Sequence, residues 1–135
     1  MPELRGRISR HEPTLPARVL SHELHIGGAG RIRIVLDTGF TGDLVLPRSV
    51  IRRLRTDRVG VERYELANGS VVKLPVHRAT VVIGGRPTQV EVVPTSGAGL
   101  IGMALLERTS RSVLLRLRER TVLVELFKRG RGRQR

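Results

Sequence analysis

Apolar and polar residues alternate along this chain in short stretches, and the stretches are set off by residues that favour turns. Strand-like patches fall at residues 4–9, 17–26, 31–37, 44–46, 71–76, 79–84 and 88–93. Between them sit His11-Glu12-Pro13, Gly27-Gly28-Ala29-Gly30, Asn68-Gly69 and Gly84-Gly85-Arg86-Pro87, residue types that favour tight reversals. Alternation is clearest at 80–83 and in Gln89-Val90-Glu91-Val92. It gives way to an unbroken apolar run at Ile34-Val35-Leu36, as in a strand buried on both faces. The residue after Leu36 therefore emerges from the middle of the molecule.

Two segments read as helical: 47–55, with Pro47 near its first turn, and 102–108, supported by Ala104, Leu105 and Leu106. After the second, Val113-Leu114-Leu115-Arg116-Leu117 and residues 121–126 face each other across Arg118-Glu119-Arg120 as a closing hairpin. Short strands at regular spacing predict an all-β fold, a small closed barrel of antiparallel hairpins with one or two short helices.

Length and composition sharpen this picture. A chain of 135 residues with 39% apolar content holds one domain, expected over 1–128, and residues 129–135 read as a basic tail without fixed structure. With one Tyr, two Phe and no Trp, the core must be aliphatic. The absence of cysteine excludes disulfides, thiolate zinc sites and a cysteine nucleophile. No apolar run is long enough to span a bilayer and no basic-then-apolar leader opens the chain, so a cytoplasmic location without membrane contact is expected. The net charge of +13 comes mostly from Arg spread through every segment, and no aromatics interleave to stack bases. Nucleic acid is not expected as a partner beyond a weak contact through the tail.

The chemistry-bearing feature is Asp37-Thr38-Gly39, placed where the apolar run ends. Gly39 supplies a position free to take an unusual backbone conformation, Leu44-Val45-Leu46-Pro47 follows, and Leu100-Ile101-Gly102 precedes the second helical segment. His22 and His25 lack the carboxylates that would complete a metal shell, so no metal or other cofactor is expected. The run at 27–30 leads into a strand, which makes it a hairpin turn and not a phosphate cradle. Ser49, Ser96 and Ser112 lie in no Gly-x-Ser-x-Gly elbow. Arg52, Arg53 and Arg55 read as a solvated helix face.

In this order the segments resemble the retropepsin-like aspartic peptidases, especially the small bacterial and archaeal relatives of the retroviral enzymes. The resemblance runs from about Leu4 to Leu126 and rests on Gly6-Arg7-Ile8, the stretch from Val35 to Pro47, Ala67-Asn68-Gly69-Ser70, and Leu100-Ile101-Gly102-Met103-Ala104-Leu105-Leu106. It implies an aspartic endopeptidase in which two carboxylates sharing a proton activate water and protonate the scissile carbonyl. One Asp-Thr-Gly per chain supplies half of that pair, so the resemblance also implies a homodimer that binds peptide or protein substrate in extended form. Asp37 would be the general acid/base. Thr38 would hold the two active-site loops together, and Gly39 would let the backbone reach substrate. Phe40 would form a subsite wall bulkier than the Ala usual in retroviral enzymes. Ala67, Asn68, Gly69 and Ser70 would form the tip of a flap that closes over substrate, while Leu100, Ile101 and Gly102 would support the catalytic loop. Asn68-Gly69-Ser70 also fits a glycosylation sequon, discounted without a secretory signal. Met103-Ala104 departs from the retroviral pattern, so the polar brace found there should be missing. Two other readings stay open: an inactive peptide- or protein-binding module of the same fold, against which the intact Asp-Thr-Gly argues, and a basic nucleic-acid-associated protein.

Overall fold

The computed structural model describes residues 3–128; the tail expected at 129–135 lies outside them. The N-terminal strands β1 (Glu3–Ser9), β2 (Glu12–Leu20) and β3 (Glu23–Ile26) are joined by two-residue turns. Arg10 and His11 (φ 50° and 72°) form the first turn, and Ser21 and His22 (φ 50° and 66°) the second. Paired left-handed residues match the twist of a tight hairpin. Residues 17–26 are thus a hairpin and not one strand, and the first reversal falls one residue before the expected His11-Glu12-Pro13. Glycine is absent from both turns, and the second, at Ser21-His22, also lacks a nearby proline, which is why it does not stand out in the sequence.

The chain continues through β4 (Ile32–Leu36), β5 (Leu44–Pro47), α1 (Arg48–Ile51), β6 (Thr56–Glu65), β7 (Val71–Ile83), β8 (Arg86–Thr95), β9 (Gly99–Ile101), α2 (Met103–Thr109), β10 (Ser110–Arg116) and β11 (Thr121–Leu126). Pairing in the order β2-β3-β7-β8-β5-β9-β4 and back to β2 closes a ring, the small barrel expected. The sheet is mixed: β3–β7, β4–β9 and β5–β8 run parallel and the other pairs antiparallel. Gly27-Gly28-Ala29-Gly30 carries the chain from β3, on one edge of β2, to β4 on the other edge. It is a crossing loop and not a hairpin turn. The helix expected at 47–55 regularises only over Arg48–Ile51, with Pro47 as its N-cap. The second, Met103–Thr109, falls one residue later than expected.

Outside the ring, β1 lies between β2 and β11, and β10 ends the sheet beyond β11. The core is aliphatic, centred on Leu15, Leu24, Ile34, Leu44, Val92 and Leu105, each at most 1% exposed. All three aromatic residues lie outside it.

Strands β6 and β7 extend beyond the ring. Residues 77–83 of β7 pair with β8, whereas 71–76 pair only with β6, so the outer half is a two-stranded arm. The expectation of separate strands at 71–76 and 79–84 reflects that change of surroundings within one continuous strand. A bulge at Val59, between the pairs Arg58↔His77 and Gly60↔Val76, marks the base of the arm.

Candidate active site

The run Ile34-Val35-Leu36 is buried, at 0%, 9% and 6% exposure, and delivers Asp37 to the rim of the barrel. There the chain reverses: the Phe40 N–H donates to the Asp37 carbonyl (3.1 Å), and the Gly39 N–H donates to Asp37 Oδ1 (2.9 Å). The carboxylate is thereby oriented by its own turn. Gly39 does not occupy the left-handed region, contrary to the expectation of an unusual conformation there. The reason for glycine is proximity, since a Cβ would stand 3.3 Å from Asp37 Oδ1.

Strand β9 holds both ends of the loop at 37–43. It lies between β4 and β5, the two strands the loop connects, pairing Leu36↔Ile101 on one side and Leu44↔Ile101 on the other. The Ile101 carbonyl accepts from Asp37 N–H (2.9 Å), and the Gly102 N–H donates to the Asp43 carbonyl (2.9 Å). Helix α2 then starts against the loop. No side chain caps it; its free N–H groups at Met103 and Ala104 donate to the Phe40 and Gly42 carbonyls (2.8 and 3.2 Å), so the loop does the work of a cap. Gly102 allows this closeness, because a Cβ there would lie 2.2 Å from the Gly42 oxygen. The Phe40 ring folds over Gly42 and Gly102, within 2.6 Å of where a Cβ on either would sit. Ile101 and Gly102 thus bond to the two ends of the loop, and Leu100 pairs with Val35 and Val45 in the strands that flank it.

The missing polar brace is supplied from elsewhere. Asp43, at the loop's end, accepts from Arg108 Nη1 (2.5 Å) and Nη2 (3.3 Å) and from the Glu91 N–H (3.0 Å). Arg108 Nη2 also donates to the Gln89 carbonyl (3.0 Å). A charge-assisted fork therefore ties the loop, α2 and β8 together. The sequence reading expected no brace, because Met103-Ala104 follows Gly102; this Arg comes from the far end of α2, and an Arg among so many carries no distinguishing signal.

Ala67, Asn68, Gly69 and Ser70 form the tip of the β6–β7 arm, away from the turn; among the described residues no hydrogen bond joins tip and turn. The reversal is centred one residue earlier than Asn68-Gly69. Gly69 N–H donates to the Leu66 carbonyl (2.9 Å), and only Gly69 has a positive φ, 87°, a three-residue loop ending in a left-handed glycine. Asn68 Oδ1 accepts from Ser70 N–H (2.9 Å) and Oγ (2.6 Å). The arm carries the single tyrosine, Tyr64, whose hydroxyl donates to Glu62 (3.2 Å). Partial burial, and then the negative charges of Glu62 and Glu91, push its pKa up to about 12.

Thr38 is exposed and, among the described residues, its hydroxyl has no hydrogen-bond partner. It lines a cleft of about 300 Å³ with Met103, Leu106, Ser110 and Val113. His22 sits in a turn, not a strand, and Arg52, Arg53 and Arg55 are exposed. Among the described residues no group of three His, Cys, Asp or Glu could hold a metal ion, and no helix is long and apolar enough to cross a membrane.

The sequence model of a family described as aspartyl protease matches residues 22–105, from the second hairpin turn through the start of α2. No curated protein matches the chain.

Proposed function

The chain belongs to the aspartyl protease family, and from that premise we propose that it is one half of a homodimeric aspartic endopeptidase. The carrying observation is the Asp37 turn: a carboxylate at the barrel rim, oriented by Gly39 N–H and backed by β9 and α2, with no second carboxylate hydrogen-bonded to it among the described residues. Asp37 of a second copy would complete the pair. Two such carboxylates share one proton, because like charges held close resist double ionisation.

In the proposed reaction the ionised Asp37 takes a proton from a water whose oxygen attacks the scissile carbonyl carbon. The protonated Asp37 of the other copy gives its proton to the carbonyl oxygen. The resulting gem-diol collapses as the C–N bond breaks: the leaving nitrogen receives a proton and one diol oxygen loses one, leaving an acid, an amine and the pair with its single shared proton. Phe40, half-buried beside the turn, would form a subsite wall. The β6–β7 arm would close over an extended peptide, with Ala67 to Ser70 at its tip. A two-stranded ribbon with no third strand is marginal in water, which suits a part that has to move.

The test is cleavage of unstructured peptides followed by mass spectrometry. Cleavage should be blocked by statine-type inhibitors and lost in Asp37→Asn, with the fold retained. An Asp37→Asn protein that cleaves as fast as the parent would falsify the assignment.

A further inference from the structure

At the end of β4 remote from Asp37 the sheet opens. Strand β2 pairs with β4 only as far as Ala17↔Ile32, and its last residues, Arg18 to Leu20, pair with β3 alone. Beside that stretch lies a cleft of about 480 Å³, lined by Ala17, Val19 and Ile32 and by three arginines, Arg18, Arg31 and Arg53. Val19 and Ile32 pack against the core, whereas all three arginines are exposed. The cleft thus has an apolar floor and a basic rim. The extended run from Arg31 to Asp37 spans roughly 20 Å, so this cleft is separate from the catalytic turn.

Three segments supply the arginines, and the backbone of each is held in place. Arg18 stands in the β2–β3 ladder, opposite His25. Arg31 follows the crossing loop, which is pinned to β2 at both ends: Gly27 N–H donates to the Pro16 carbonyl (2.8 Å), and a Cβ on Gly30 would stand 2.1 Å from the Ala17 oxygen. Arg53 closes α1, its N–H donating to the Val50 carbonyl (2.9 Å) and its own carbonyl accepting from His22 Nδ1 (3.4 Å). One step past Ala17↔Ile32, the same register sets Arg18 beside Arg31, and like charges so placed repel. The ion pairs among the described residues are Arg5 with Glu3 and Arg108 with Asp43. None of the rim arginines has one, and among the described residues none donates a side-chain hydrogen bond. Glu23, on β3, lines a different cleft with Arg55, Asp57 and Arg78. Three unneutralised charges around a concavity make a local positive potential that a bound anion relieves.

We propose that this cleft binds a small organic phosphate monoester, with the phosphate on Arg18, Arg31 and Arg53 and the organic body on the apolar floor. A phosphate monoester carries about two negative charges and three acceptor oxygens, and the planar guanidinium fork matches those oxygens in pairs. A carboxylate, with one charge, would leave most of the repulsion unrelieved. Inorganic phosphate would leave the floor bare, and the cleft's volume falls within the roughly 300–1,000 Å³ usual for small-molecule sites. No aromatic side chain lines it, which favours a compact apolar body over a nucleobase in need of a stacking partner.

The probe is phenyl phosphate, titrated by calorimetry or NMR into the whole protein at about 150 mM salt, where attraction to net charge alone is largely screened. Binding should saturate with a Kd on the order of 1 mM or below. Arg18→Gln, Arg31→Gln and Arg53→Gln each remove one exposed charge from the rim; Arg118→Gln, in the β10–β11 turn, removes the same charge elsewhere. Each rim variant should weaken binding roughly fivefold or more, and Arg118→Gln less than about twofold. Thermal melts of the four variants should match the parent, since the replaced side chains have no partners to lose among the described residues. Benzoate, with the same ring and half the charge, should bind about tenfold more weakly, and inorganic phosphate more weakly as well. The proposal is overturned if binding does not saturate, if Arg118→Gln weakens it as much as the rim variants do, or if benzoate or inorganic phosphate binds as tightly. A single-stranded oligonucleotide that binds through the three arginines while phenyl phosphate does not would overturn it in favour of nucleic acid. Because the cleft is remote from the catalytic turn, Asp37→Asn should bind the probe as the parent does, whether or not the protein cuts peptides.

Discussion

Replacing Gly102 by alanine adds one carbon at the most crowded point of the site. The backbone of Gly102 is extended, with φ −96° and ψ 174°, which alanine adopts without strain, so the whole effect is steric. The new Cβ would lie 2.2 Å from the Gly42 oxygen and 2.8 Å from the Phe40 oxygen. Both are main-chain atoms, and ordinary contact requires the loop to withdraw by about 1 Å. That withdrawal strains three bonds together: Gly102 N–H to Asp43, Met103 N–H to Phe40 and Ala104 N–H to Gly42. At roughly 1 kcal/mol net for each, the loss is about 3 kcal/mol, or a fall in Tm of roughly 10 °C for a chain of this size. If Asp37 is the acid/base proposed above, a displacement of about 1 Å at its carboxylate should also lower kcat by around 100-fold. Gly39→Ala is the companion measurement. Its Cβ meets only Asp37 Oδ1, at 3.3 Å, so stability should change by less than about 1 kcal/mol while cleavage falls. Thermal melts and peptide cleavage on both proteins decide the matter. A Gly102→Ala protein that melts within 2–3 °C of the parent would refute the claim that the loop and α2 are locked by close backbone contact.

Arg108→Ala should cost on the order of 1–2 kcal/mol, since the guanidinium is partly solvated while the Asp43 side chain is mostly buried; urea unfolding of Arg108→Ala, Asp43→Asn and the double variant should give strongly non-additive losses. With a single tyrosine, absorbance near 295 nm titrates Tyr64 alone: the native midpoint should be about 12, and Glu62→Gln should lower it. Because the folded value is raised above the ordinary one near 10, the linked stability is full below pH 10 and is lost as pH rises through 12. A chain of net charge +13 repels its own copy, so raising salt from 50 to 500 mM should tighten the proposed dimer; sedimentation that shows it loosening would argue that surface charge does not oppose assembly.

The inner half of the molecule was legible because burial imposes periodicity there. The run at 34–36, the alternation at 80–83 and the hairpin closing at 121–126 all kept their places, and the core is as aliphatic as the shortage of aromatics required. Strand β6 escaped notice because almost every residue in it is exposed and its bulge interrupts the alternation, so neither period nor burial marks it. Strand β9, three residues long, is too short for any pattern and was foreseen only as packing beneath the loop. The parallel pairings join segments far apart in sequence, which local alternation does not encode. At the site, the segments that border Asp37 stand out in the sequence because their order is compact, whereas the Asp43–Arg108 fork joins residues 65 positions apart, a pairing that no local pattern encodes.

The bulge at Val59 has a consequence for how the arm can vary. At its base, Thr56 and Arg58 stand opposite Ala79 and His77; beyond it, Gly60, Glu62 and Tyr64 stand opposite Val76, Leu74 and Val72. One extra residue has moved the even-numbered positions of β6 from one face of the ribbon to the other, and Tyr64 with them. The extra residue is thus absorbed at the base alone. Removing Val59 would close the bulge without changing any partner on β7, so Gly60, Glu62 and Tyr64 would keep their face of the ribbon. What the arm would lose is the local bend and added twist that a bulge brings, and with them the direction in which its tip is aimed.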